Sequence, residues 1–248
     1  MYRHLKPDFI LKTTDILRQR IRERFPERGL AGVCDELYAV SCEAIERAEW
    51  IARPLWPIRI VVATFIIGLL YLIFNALFLI EMDTTGVTFV EIVQAIESGI
   101  NDIILIGAAI FFLATIERRI KRDRALKALH ELRALAHVID MHQLPKDPER
   151  IIQRAPTASS PQEEMTPFEL TRYLDYCSEM LSIIGKIAAL YVQDFDDPIV
   201  LSAVNEIESL SNGLARKIWQ KIIIAQSLQP ELYQPTSPLL LPPPANKT

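Results

Sequence analysis

The feature that most constrains this chain is one uninterrupted apolar run, Ile60 to Ile80, IVVATFIIGLLYLIFNALFLI, in which no residue is charged. Wound as a helix rising ~1.5 Å per residue, it is roughly 30 Å long, the thickness of a hydrocarbon core. A buried helix of a soluble domain rarely stays apolar over that length. A second run, Ile103 to Ile116, is free of charge over about 14 residues, or ~21 Å, too short to span alone. Extended back through the segment GINDIILIG it becomes long enough, and it then takes in Asn101 and Asp102. Together the two read as a transmembrane hairpin over residues 58–117, with helices at about 58–80 and 98–117.

Basic residues orient the hairpin. Arg47, Arg53 and Arg59 precede the first segment, and Arg118, Arg119, Lys121, Arg122, Arg124 and Lys127 follow the second. The connection Glu81 to Asp102 has no Lys or Arg, and carries Glu81, Asp83, Glu91, Glu97 and Asp102. The positive-inside rule then places both termini in the cytoplasm. Trp50, Trp56, Arg59, Arg118 and Arg119 fall where inner-interface anchors would sit.

Aligning Ile60 with Glu117 as the inner ends of an antiparallel pair sets Asn75 opposite Asp102, each ~22 Å up. An ionised Asp at that depth is costly unless paired, hydrated or protonated. Two readings follow. Asn75, Asn101 and Asp102 line a pore or relay when several hairpins assemble, helped by the small residues Thr64 and Gly68 on one face. Alternatively Asp102 lies at a thinned outer interface and caps a helix that starts there, with Val87 to Ser98 as an interfacial amphipathic piece or lying partly in the membrane. The shortness of the second run favours the latter.

The flanking sequence is periodic and charged. Leu30, Val33, Leu37, Val40, Ala44 and Ile51 form one stripe on a helix from about Leu30 to Arg53, which Pro54 and Pro57 separate from the membrane segment. Before it, Phe9 to Phe25 sets Arg18, Arg20, Arg22 and Arg24 on one side and Leu17, Ile21 and Phe25 on another. Such a helix suits either an anionic lipid surface or a bundle with a solvated basic face. After Ile116 no breaker occurs until Pro145, so the second membrane helix is expected to run on, its stripe being Leu126, Leu129, Leu132, Leu135 and Ile139. Residues 145–166 read as a linker. Thr166, Pro167 and Glu169 then form a capping-box start, and Leu170, Leu174, Cys177, Leu181, Ile184, Ala188 and Tyr191 keep a three-four rhythm. Asp197-Pro198 opens the last helix, with Val204, Ile207, Leu214, Ile218 and Ala225 on its apolar face. Residues 229–248 are a Pro-rich tail expected to be disordered.

Little in the chain suggests chemistry. It has no phosphate-cradling glycine loop, HExxH, GxSxG or CxxC pattern. The three cysteines, Cys34, Cys42 and Cys177, lack metal-like spacing, and the net charge of −4 gives no reason to expect nucleic acid. The richest polar cluster is HVIDMHQL. His130, His137 and Met141 share a helix face and are the candidate ligands for a soft metal; a packing histidine at a bundle seam is the plainer account. His137, Asp140 and His142 would be the centre of any metal-dependent enzyme. Asp194, Asp196 and Asp197 crowd a helix junction, where caps and solvation explain them. No cofactor and no catalytic set is assigned.

The stretches ALAHVIDMHQL, followed by KDPER, and MTPFELTRYLDYCSEML resemble segments of uncharacterised bacterial two-helix integral membrane proteins, over about a quarter of the chain. That resemblance implies no activity. The organisation is also similar to that of two-helix membrane effectors of bacterial conflict systems. The expected architecture is all-α: residues 1–57 and 118–228 build a cytoplasmic bundle of about four or five helices on a two-helix transmembrane hairpin. Its expected function is a non-enzymatic, membrane-tethered interaction or regulatory module. Membrane lipid and a cytoplasmic protein, or a second copy of the chain, are the expected partners. An oligomeric pore or membrane-perturbing effector is the alternative, and a metal-dependent enzyme the third reading.

Overall fold

The computed structural model describes residues 4–82, 88–148 and 165–227. These form six helices: α1 (Pro7–Arg24), α2 (Gly29–Ala52), α3 (Trp56–Met82), α4 (Phe89–Gln143), α5 (Pro167–Gln193) and α6 (Pro198–Ser227). No strand occurs among the described residues, and the protein is all-α. The tip of the connection (83–87), most of the expected linker (149–164) and the Pro-rich tail (228–248) lie outside the described residues.

Helix α4 dominates the architecture. It runs 55 residues without a break, ~80 Å at the usual rise. Its start differs from the sequence expectation of about residue 98. The N–H of Ile92 already bonds the carbonyl of Thr88 at 3.3 Å, so Phe89 to Ser98 is the first part of α4 and not a separate amphipathic piece. Glu91, Glu97 and Asp102 interrupt the hydropathy of this segment, but none of them breaks a helix. Extending an existing helix costs far less than nucleating a second one. Asp102 therefore lies 13 residues inside α4 and cannot cap its start.

The α2–α3 break has a local cause. Pro54 disfavours helical geometry in Arg53, whose ψ of 143° is extended. Pro57 sits in the first turn of α3, where its missing N–H has no consequence.

Helices α1, α2, α5, α6 and the C-terminal half of α4 form a five-helix bundle. Paired side chains show how they run. Arg20 meets Glu179 at 3.0 Å and the N–H of Leu5 meets Gln193 at 2.8 Å, so α1 and α5 are antiparallel. Arg47 pairs with Glu131, and the ring of Trp50 lies under the Arg124 guanidinium, so α2 and α4 are also antiparallel. Arg122–Asp197, Arg133–Glu206 and Gln143–Lys221 make α4 and α6 parallel. Helix α5 is the central element. It buries Tyr173, Tyr176, Met180, Ile183 and Ile187 in addition to its expected stripe, because α1, α2, α4 and α6 all pack on it.

The arginines of α1 find protein partners. Arg18 stacks on Tyr38, Arg20 pairs with Glu179, Arg22 with Asp35 at 2.9 Å, and Arg24 lies over Phe168. With Leu17 and Ile21 fully buried, α1 is a bundle helix with a paired basic face.

The two apolar helices leave the bundle together. Both are long and apolar enough to cross a membrane, and the most apolar window of each is unburied. Ile60, Ile67, Tyr71, Phe74, Ile103 and Phe111 are all exposed, an extent of apolar surface that monomeric soluble proteins rarely show. Of the helix pairs in contact, α3 and α4 touch least.

Asp197 joins the start of α6 to α4. Its side chain is fully buried. It accepts from the N–H groups of Ile199 and Val200 at 3.1 and 3.2 Å, and from Arg122 through Nε and Nη2 at 3.0 and 2.8 Å. Burial alone would raise its pKa, but Arg122 and the two backbone donors outweigh it and hold the carboxyl below its ordinary value. A depressed carboxyl contributes its stability in full above the ordinary Asp value of ~3.9 and loses it as pH falls through the folded pKa. Asp197→Ala is expected to cost about 2–3 kcal/mol in denaturant unfolding, from the lost cap and charged hydrogen bonds. Asp197→Asn should also flatten the loss of stability in acid that the wild type shows below about pH 4; an unchanged acid limb would exclude this role.

Candidate functional site

The base of the apolar pair is held by one carboxylate. Glu117, in α4, accepts from the N–H of Leu55 at 3.2 Å, from Arg59 Nε at 3.3 Å and from Lys121 Nζ at 3.2 Å. Pro54 and Pro57 interrupt the helix here, so the Leu55 N–H has no intrahelical acceptor; Glu117 supplies it. The same contact sets Arg59 level with Glu117, and Trp56, at the start of α3, is 65% exposed beside it. Trp50 lies within the bundle, half-buried under Arg124 at 3.8 Å from the ring centre. Arg118 and Arg119 are exposed on α4 just past Glu117.

Higher on the hairpin, the Asn75 amide donates to the Tyr71 carbonyl of its own helix at 3.4 Å. Asn101 and Asp102 are exposed, and among the described residues no hydrogen bond joins Asn75 to Asp102.

The HVIDMHQL segment lies at the opposite end of α4. His130, His137 and Met141 are exposed on one face of α4. Asp140 accepts from Gln143 Nε2 at 2.6 Å instead of orienting His137. The His142 ring packs against the start of α2, close enough that a Cβ on Gly29 would lie 2.7 Å from its Cε1. Among the described residues no group of three or more His, Cys, Asp or Glu is placed to hold a metal ion. Lys221 closes the end of the helix, donating to the Gln143 carbonyl and Oε1 at 2.9 Å each, an arrangement suited to the negative end of a helix. The Tyr173 hydroxyl reaches the His142 carbonyl at 3.4 Å, so the segments ALAHVIDMHQL and MTPFELTRYLDYCSEML are neighbours in space.

An apolar groove of about 520 Å³ lies between α1 and α5. Phe9, Ile10 and Ile183 line it, and Lys6 and Lys186 stand at its rim. Phe9 is 60% exposed. Lys6 lies over the Phe9 ring and Lys186 bonds Ser182, so neither has a carboxylate partner among the described residues, whereas the acidic lining residue Glu179 is taken by Arg20. A separate polar cavity of about 430 Å³ is lined by Arg20, Glu23, Arg24, Arg172 and Tyr176. Arg172 there pairs with Asp175. The signal for the groove in the sequence is the pair Phe9 and Lys6 just ahead of the α1 stripe, which periodicity alone assigns to no face.

Comparison with protein-family models, with curated proteins and with solved structures finds no match. The functional reading therefore rests on the geometry above. Cys34 and Cys177 are buried, and burial pushes both thiols up to about 12, far from the thiolate form that a nucleophile needs.

Two measurements follow from these environments. A maleimide at neutral pH should label Cys42 first, with Cys34 and Cys177 reacting only as the bundle opens. Three equally fast thiols would contradict this packing. Glu117→Ala should raise amide exchange at Leu55 at least tenfold and cost about 1–3 kcal/mol, since it leaves a backbone donor and two cations without their acceptor; unchanged exchange at Leu55 would show the clamp to be incidental.

Proposed function

We propose that this chain is a non-enzymatic, membrane-tethered interaction module of a bacterial cytoplasmic membrane. In this reading α3 and the N-terminal half of α4 span the bilayer, and both termini and the bundle are cytoplasmic. The exposure of both apolar helices and the strong Lys/Arg asymmetry of the flanking segments support it. The resemblance of the two quoted segments to bacterial membrane proteins is in keeping with the location.

The observation that carries the functional reading is the α1–α5 groove. Its lining is largely apolar, Lys6 and Lys186 border it without carboxylate partners among the described residues, and it is formed between two helices. The occupant it suits is an amphipathic helix of a cytoplasmic protein, with an apolar stripe facing Phe9 and Ile183 and acidic residues flanking it. The test is titration of the detergent-solubilised protein with a labelled helical peptide bearing leucines at helical spacing and glutamate flanks. Saturable binding is expected, weakened at least tenfold by Phe9→Glu and several-fold by Lys186→Glu. A peptide with lysine flanks should bind poorly. Equal binding of both peptides, or indifference to Phe9→Glu, would rule the groove out.

One observation favours a second reading, an oligomeric pore. Asp102 is exposed well inside a continuous apolar helix, and the face around Gly68 is open, with nothing within 4 Å of the place a Cβ would occupy. Both features suit contact with further hairpins. Native mass spectrometry should then reveal a discrete ring-sized oligomer, and Asp102→Ala should abolish ion flux in proteoliposomes. A monomer or dimer with no flux removes this reading and leaves the first.

Orientation has its own check. Thr85→Cys should introduce a thiol that reacts with an impermeant reagent on intact cells, while Cys42 should react only after permeabilisation. The reverse pattern would invert the topology.

A further inference from the structure

Arg118 and Arg119 differ from the other cations of their turn. Lys121 is buried against Glu117, Arg122 is held by Asp197, Arg124 covers Trp50, and Arg59 shares Glu117. Arg118 and Arg119 are exposed and have no partner among the described residues; the nearest acidic side chain along the helix beyond them, Asp123, is exposed and makes no ion pair with them. Glu117 meets Leu55 and Arg59, and the half-buried positions Ile106, Ile110 and Leu113 fall on the same side of α4 by helical spacing, whereas Arg118 and Arg119 fall on the other side.

Each of the two arginines ends an apolar line. Ile104, Phe111 and Arg118 are seven residues apart, as are Leu105, Phe112 and Arg119, and seven residues is nearly two turns, so each triplet runs straight along the helix. Ile104 and Leu105 are 63% and 70% exposed, Phe111 and Phe112 75% and 63%. The lines extend ~21 Å above the guanidiniums, more than the ~15 Å depth of one leaflet. A surface with two unpaired guanidiniums below and a wide apolar strip above matches one kind of molecule: an amphiphile with an anionic head. Guanidinium binds a phosphate oxygen pair through its forked donors, which a zwitterionic head with its own ammonium satisfies less well.

We propose that this outer face of α4 is a binding surface for anionic phospholipid of the inner leaflet, with Arg118 and Arg119 holding the head-group phosphate and the Ile104–Phe111 and Leu105–Phe112 lines flanking its acyl chains. This rests on the membrane reading of α3 and α4. Headgroup selectivity at this one face is separate from the general bias of basic residues, because the neighbouring cations are engaged within the protein.

The experiment uses the full chain and has two arms. In the first, membranes are washed with alkaline carbonate. Retention of wild type and variants in the pellet supports the spanning helices; release overturns both the membrane reading and this inference. In the second, protein in mild detergent is offered equimolar phosphatidylglycerol and phosphatidylcholine, and retained lipid is read by native mass spectrometry. Wild type should prefer the anionic lipid by on the order of tenfold, the scale expected of two basic residues. Arg118→Gln with Arg119→Gln should remove the preference while leaving total lipid and the folded bundle unchanged. Arg133→Gln, far from the hairpin, should keep it. Retention in the carbonate pellet without headgroup preference, or a preference that survives the double variant, would sink the lipid assignment alone. Displacement of the lipid by millimolar inorganic phosphate would reduce the site to a simple anion site and also overturn it.

Discussion

The unbroken backbone of α4 is the constraint on which the rest of the structure depends. Its hydrogen bonds continue from Phe89 through the apolar segment and into the bundle, with no proline or flexible loop to separate the two parts. Every other joint is arranged around it. Glu117 ties the start of α3 to it, Asp197 ties the start of α6 to it through Arg122, and Lys221 caps its far end. Helices α2, α5 and α6 then bury its apolar stripe, so that Leu129, Leu132 and Ile139 are nearly inaccessible. A hinge anywhere along α4 would uncouple the hairpin from the bundle.

Much of this was legible in the sequence because helices announce themselves locally. Thr166 and Glu169 form the capping box that their spacing indicates, and every residue of the expected α5 and α6 stripes is buried. The start of α4 was not legible. Glu91, Glu97 and Asp102 lower the local hydropathy and so disguise the boundary, although helix continuity depends on the absence of breakers. The central place of α5 was equally hidden, since a helix with neighbours on four sides buries Tyr173 and Ile183 as well as its stripe, and the number of neighbours is a tertiary property. Leu126, counted in the α4 stripe, is only half-buried, whereas Ala125 and Ala128 are fully packed because close helix approach selects small residues.

The same limit applies to the candidate sites. Asp197 read as a cap and is one, but its ion pair with Arg122 spans 75 residues and has no sequence signature. The HVIDMHQL segment looked like the richest chemistry in the chain. Three of its polar side chains meet neighbours at the end of α4: Asp140 holds Gln143, Gln143 receives Lys221, and the His142 ring fills the space beside Gly29, while His137 is exposed. The α1–α5 groove, by contrast, exists only once two helices distant in sequence lie side by side.

The place of Glu117 within α4 has a mechanical consequence. About 28 residues precede it and about 26 follow it, arms of ~42 and ~39 Å. The helix is thus a lever of nearly equal arms with its fulcrum at the Leu55–Glu117 contact. Were the helix to pivot there as a rigid rod, a small tilt of the Phe89 tip would be returned at the Gln143 end with similar amplitude and opposite sense, where Lys221, Tyr173 and the first turn of α2 meet it.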